Sequence, residues 1–195
     1  MRATPLAAVF AWTLSAADTA PEWLTAAANT AVNAPAKAPA AVLLDEQTTV
    51  VDDSGNSVNR RLRAIRVLTA EGRNHAVAGE IYYAKGGKVR DIKAWTILPS
   101  GQVVRHGKEK AVESAYVDGF FLYSDTRRVM LSGAQDAVPG SIFGFELTSE
   151  EKTVFSQNVW AAHDGLPTAV SRFKLTLPAG WEVKTSWLGQ GGAEP

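Results

Sequence analysis

Cysteine is absent from the 195-residue chain. Its absence removes disulfides, thiolate metal sites, redox motifs and any cysteine nucleophile in one step. An excess of one charge is missing as well, because 20 basic residues against 20 acidic ones give a net charge of zero. Nucleic-acid binders draw affinity from a basic surface that displaces phosphate counterions, so that class is disfavoured. No apolar run approaches the roughly 20 residues a spanning helix needs, and no transmembrane span is expected. The three histidines are His75, His106 and His163. None has a second histidine at the short spacing that sets two imidazoles on one metal, so no metal or cofactor is implied.

What the chain has is one domain's worth of sequence with a different N-terminus. Arg2, the apolar stretch Leu6 to Leu14 and the small residues Ser15-Ala16-Ala17 read as an export signal over 1–17. The implied location is the periplasm or cell envelope. Of the 31 alanines, 16 fall in residues 1–41, where only Arg2, Asp18, Glu22 and Lys37 carry charge. That break places the folded unit at 41–195, after a linker over 18–40. Within the linker, Pro21-Glu22-Trp23-Leu24 starts a short helix with Pro at N1 and an acid in the first turn. Pro35 and Pro39 are expected to end it, and Trp23 to anchor it on the domain.

From Ala41 the signal is strand and turn. Ala41 to Val51 and Ser57 to Leu68 flank the turn cluster Asp52-Asp53-Ser54-Gly55-Asn56, which predicts a hairpin. Val89 to Leu98 and Val103 to His106 flank Pro99-Ser100-Gly101-Gln102 and predict another. Arg128 to Leu131 reads as a short strand. Phe143, Phe145 and Leu147 alternate with Ile142, Gly144, Glu146 and Thr148; Phe173, Leu175 and Leu177 alternate with polar neighbours. Pro178-Ala179-Gly180 then turns into a strand carrying Trp181, Val183 and Thr185. With no long amphipathic helix, this pattern favours an all-β, antiparallel sandwich. The least regular stretch, Gly107 to Thr126, carries Tyr116, Phe120, Phe121 and Tyr123. It reads first as a lid on the core, and second as an interaction surface.

No catalytic constellation emerges from these residues. There is no Gly-x-Ser-x-Gly elbow. His163-Asp164 form a base and orienter in principle, but Asp164-Gly165 is a turn signal. The adjacent acids Asp52-Asp53 and Glu150-Glu151 point to opposite faces of extended chain, so neither pair converges on one bond. Gly86-Gly87-Lys88 lacks phosphate-loop spacing and reads as a hairpin turn. Arg60, Arg61, Arg63 and Arg66 read as a wet strand face. Trp95, Trp160, Trp181 and Trp187 stand inside strand-like segments, where most indoles are core.

Several stretches together resemble a known family. They are Ala-Val-Leu-Leu-Asp-Glu at 41–46, Arg-Val-Leu-Thr-Ala-Glu-Gly at 66–72, Ile-Lys-Ala-Trp-Thr-Ile-Leu-Pro-Ser-Gly-Gln-Val at 92–103 and Val-Pro-Gly-Ser-Ile-Phe-Gly-Phe-Glu at 138–146. Phe155 to Trp160, Leu166-Pro167, and Leu-Thr-Leu-Pro-Ala-Gly-Trp at 175–181 follow. In order and spacing they resemble the bacterial domain of unknown function 3857, which precedes transglutaminase-like domains in exported and envelope proteins. The resemblance implies an immunoglobulin-like sandwich ahead of a papain-like domain with a Cys, His and Asp triad. No position here matches that triad, so no catalytic residue carries over. It further implies a sandwich that continues past Trp187, leaving 171–177 or 181–187 as an unpaired edge prone to self-association. The expected role is that of a non-catalytic accessory domain whose partner is a downstream transglutaminase-like or cysteine-protease-like domain. The alternative is a free-standing carbohydrate- or peptide-binding module.

Overall fold

The predicted N-terminal helix forms as α1 (Glu22–Ala28), with two differences at its ends. Pro21 is the residue before the helix, extended at ψ 153°, and Asn29 closes the last turn, well ahead of Pro35. The first hairpin follows as β1 (Ala40–Val51) and β2 (Ser57–Val67), in antiparallel register from Ala40 opposite Val67 to Val51 opposite Ser57. Its turn is built by Asp52, whose carboxylate accepts the backbone N–H of Ser54 and of Asn56, both at 2.9 Å, while Gly55 takes φ 81°. Those are the Asx and glycine devices that the turn cluster advertises. The structure, a computed structural model, describes residues 19–116, 125–152, 157–162 and 164–188. Residues 1–17, read above as an export signal, lie outside the described residues.

The remaining strands are β3 (Val77–Tyr83), β4 (Gly87–Ile97), β5 (Val103–His106), β6 (Val112–Ala115), β7 (Thr126–Ser132), β8 (Ile142–Glu151) and β9 (Ser171–Thr176). They make a six-stranded sheet ordered β5-β4-β8-β2-β1-β9 and a three-stranded sheet ordered β3-β7-β6. The two sheets pack face to face as a β-sandwich. Phe143, Phe145 and Leu147 of β8 point from the large sheet into the layer between them, where they meet Ala78 of β3, Ile92 and Ala94 of β4, and Leu131 of β7. The opposite face of β8 carries Gly144, which lies under α1. Leu24 is fully buried there with Leu43, Ala64 and Trp95. Trp23 meets Trp95 edge to face, ring centroids 6.4 Å apart, so α1 is anchored as expected. Among the described residues no helix is long and apolar enough to cross a membrane.

The structure corrects the sequence reading in several places. The pairing is antiparallel except between β1 and β9, which run parallel. A parallel neighbour needs a crossover. The connection after β8 supplies it, and its end zips onto β1 through Val42 N–H to the Pro167 carbonyl and Ala169 N–H to the Val42 carbonyl, 2.8 and 2.9 Å. Residues 181–188 form no strand and are exposed, Trp181 and Trp187 included. The bond from Trp181 N–H to the Pro178 carbonyl and φ 82° at Gly180 make a turn of the type II kind. Such a turn splays its flanks rather than pairing them. Gly86-Gly87-Lys88 does turn the chain, but β3 and β4 lie in different sheets, so it is no hairpin. Edge-to-edge pairing there would strip Ala78 and Leu131 from the core. The irregular stretch 107–126 contains β6, and β9 ends the large sheet as an edge strand.

The end of β5 places His106 in the core, 6.3 Å from the Phe143 ring centroid. Its Nε2 lies 2.9 Å from Thr96 Oγ1, and its Nδ1 lies 3.9 Å from an Asp136 carboxylate oxygen. Burial pushes the imidazole below its ordinary value, outweighing the pull of Asp136, while Lys110 adds to the lowering. The unfolded chain therefore binds this proton more readily than the folded one. Stability from this site is complete above about pH 6.5 and declines as the pH falls below it. Urea melts across pH 5–8 should show that decline, and His106→Gln should flatten it.

Candidate functional site

Strand register divides the arginines of β2 between two faces. Arg60 and Arg66 lie on the helix side, bonded to Glu146 at 2.8 Å and to the Ala28 carbonyl at 2.7 Å. Arg61 and Arg63 point instead to the inner face, which corrects the reading of one wet stripe. Arg61 donates a two-pronged fork to Asp45, Nε to Oδ1 at 2.9 Å and Nη2 to Oδ2 at 2.8 Å. Arg63 reaches the same carboxylate at 3.1 Å and pairs with Asp164. Burial would raise the Asp164 carboxyl, but Arg63 holds it below the ordinary range. Glu80 of β3 completes the group. Burial raises its carboxyl, only partly offset by Arg61 and by the Ser149 hydroxyl at 3.3 Å.

Arg61, Arg63 and Asp164 border a cleft of about 250 Å³ between β2 and the open edge of β3, lined also by Asn74, His75 and Phe145. Beside it, Trp160 donates to Ser171 Oγ at 3.0 Å, stacks on Phe173 at 5.9 Å and receives the Arg61 guanidinium 5.5 Å from its ring centroid. Its π surface is therefore already engaged. Opposite charges are matched throughout this cluster, which fits holding the connection after β8 onto the large sheet better than moving protons. His163 lies outside the described residues, and Asp164 is committed to Arg63.

The predicted interaction residues lead to a different surface. Tyr116 extends the β6–β7 pairing by one bond, its N–H to the Thr126 carbonyl at 2.9 Å. Phe120, Phe121 and Tyr123 lie outside the described residues. Register places Ser114 opposite Arg128 and Val112 opposite Met130, and puts Ile81 on the other side of Arg128. All face away from the core, since Ala78, Val129 and Leu131 occupy the inward positions. On this outer face Val112, Ile81 and Tyr83 are 62, 50 and 49% exposed. The Arg128 guanidinium lies 5.6 Å from the Tyr116 ring centroid, and its Nε is buried without a hydrogen-bond partner among the described residues. Sequence reasoning found Tyr116 but missed Arg128 and all of β3, although Val77, Ile81, Tyr82 and Tyr83 give that segment a strand composition.

The other singled-out groups lie apart from this surface. Asp52 caps a turn, with its carboxyl lowered first by Asn56. Glu150 pairs with Lys88 and Arg90. His75 is exposed in a short 3-10 turn. Of the tryptophans read as core, Trp95 is buried and Trp160 half-buried, whereas Trp181 and Trp187 are exposed because 181–188 joins no sheet. Among the described residues no three of His, Asp and Glu gather as metal ligands.

The model of a family characterised as a domain of unknown function with a solved structure, DUF3857, matches residues 53–195. The chain belongs to the DUF3857 family. The match begins in the β1–β2 turn, yet β1 lies inside the sheet, so the DUF3857 sandwich here includes a strand ahead of the matched region. Among solved structures, the chain is similar to a candidate protease from Parabacteroides distasonis ATCC 8503, at 12% identity and a TM-score of 0.51. The likeness covers 58% of this chain and 23% of that one, and shows the fold alone. A CBM3a-L domain from the scaffoldin cipA of the Clostridium thermocellum cellulosome shares 11% identity at a TM-score of 0.35, over 71% of this chain and 82% of that one. No curated protein matches.

Proposed function

We propose that this DUF3857 domain is a non-catalytic accessory module of an exported transglutaminase-like or cysteine-protease-like protein, and that it acts by association. The observation that carries this reading is the contrast between its two polar regions. In the cleft, each arginine is matched by a carboxylate, as in a structural cluster. On the outer face of the three-stranded sheet, an arginine that meets no carboxylate among the described residues sits among exposed aliphatic and aromatic side chains, as in a binding surface. The fold also recurs as about a quarter of a longer protein, 23% of the Parabacteroides chain. Exposed Trp181 and Trp187 favour a second reading, a free-standing carbohydrate- or peptide-binding module.

Reading the coding sequence past Pro195 separates the two. A continuing frame with a cysteine followed by a later His and Asp is the expected result. A stop codon after Pro195 would overturn the accessory reading in favour of the module.

A further inference from the structure

Resting on that reading of an associating domain, we propose that the outer face of the three-stranded sheet is a docking surface for a protein segment presenting a carboxylate between apolar side chains, with Arg128 as the recognising cation. Three observations converge on it. First, a sheet face turned to solvent ordinarily carries polar residues. This one exposes Val112, Ile81 and Tyr83, with Met130 between them. Second, Arg128 lies in the middle strand of that sheet. Tyr116 holds its guanidinium by a cation–π contact, while its Nε is buried without a partner. The other partly buried strand arginines each have an acceptor, Arg61 and Arg63 on Asp45 and Arg66 on the Ala28 carbonyl. Arg63 Nε is buried without a partner too, so what sets Arg128 apart is a guanidinium with no acceptor at all among the described residues. Third, the occupant follows from charge. Register places no carboxylate on this face from β3, β6 or β7, so stacking two copies would set arginine against arginine. A carboxylate arriving from a partner would take the fork of N–H donors that a guanidinium presents in its plane. Apolar neighbours would shield the pair from water and cover Ile81, Tyr83 and Val112.

The test is an NMR titration of the isotopically labelled chain with the peptide N-acetyl-Leu-Glu-Phe-amide, set against its Leu-Gln-Phe counterpart. Shifts confined to β3, β6 and β7 are expected. Losing one charged hydrogen-bonded contact should weaken binding about tenfold, both for the glutamine peptide and for Arg128→Gln. Ser114→Glu, which sets a carboxylate opposite Arg128 within the chain, should abolish binding without touching the core. It serves as the second variant if Arg128→Gln loses spectral dispersion. Equal affinity for both peptides, shifts elsewhere on the molecule, or no shifts at all would overturn the assignment. A failed titration leaves the accessory reading standing with its surface elsewhere, whereas a stop codon after Pro195 removes the accessory reading and leaves the titration result intact.

Discussion

Asp45→Ala should lower the stability of the domain by about 3–5 kcal/mol, the expected cost of breaking a buried ion pair by removing one partner. Asp45 is buried on β1 and accepts from both Arg61 and Arg63, which face it from β2. With the carboxylate gone, Arg61 loses both prongs of its fork, and Arg63 keeps only Asp164. One largely desolvated guanidinium would then be left with no bonded carboxylate and the other with a single one. The exposed pair Arg127 and Glu113 makes a useful contrast, because Glu113→Ala should cost less than about 1 kcal/mol. Urea midpoints of the two variants measure the difference. A loss below about 1 kcal/mol for Asp45→Ala would show that water replaces the carboxylate at little cost, and the cluster could not then be what holds the connection after β8 onto the large sheet.

The second large effect belongs to the helix layer. Leu24 is fully buried against the large sheet, so Leu24→Ala should cost about 2–5 kcal/mol, as expected for truncating a core leucine. A Cβ added at Gly144 would come within 2.3 Å of Leu24 Cδ1, so the missing side chain at 144 is what lets α1 sit this close to β8. Gly144→Ala alone should therefore cost about 1–3 kcal/mol by overpacking. In the Leu24→Ala background the added methyl enters vacated space, and the two losses should be clearly less than additive. Additive losses would mean that Leu24 and Gly144 do not touch in solution.

What could be read from the sequence depended on how local the signal was. The β1–β2 hairpin emerged within a residue or so of its ends because Asp52, Gly55 and Asn56 encode their own turn. Alternation over Phe143 to Leu147 gave the inward face of β8 for the same reason, since each residue reports its neighbours. The outer-facing Gly144 looked like one more small residue, because the helix that demands it lies far away in sequence. β9 was legible as a strand but not as a parallel one, because direction is decided by the path after β8. Trp181 and Trp187 misled, since their alternating segment follows a turn that cannot fold it back. The arginines of β2 were seen as one stripe, because only pairing to Asp45 and Asp164 separates Arg61 and Arg63 from Arg60 and Arg66. The candidate surface was half legible. Tyr116 stood out as an aromatic in an irregular stretch, but its partner Arg128 comes from the next strand.

Association without chemistry is the central claim, and an assay of the chain itself tests it most directly. Purified protein from residue 18 onward should show no amidase, transglutaminase, esterase or glycosidase turnover above background, with no change on His163→Ala. A measurable rate that His163→Ala abolishes would contradict the account, and would make His163 beside Asp164 part of a catalytic site.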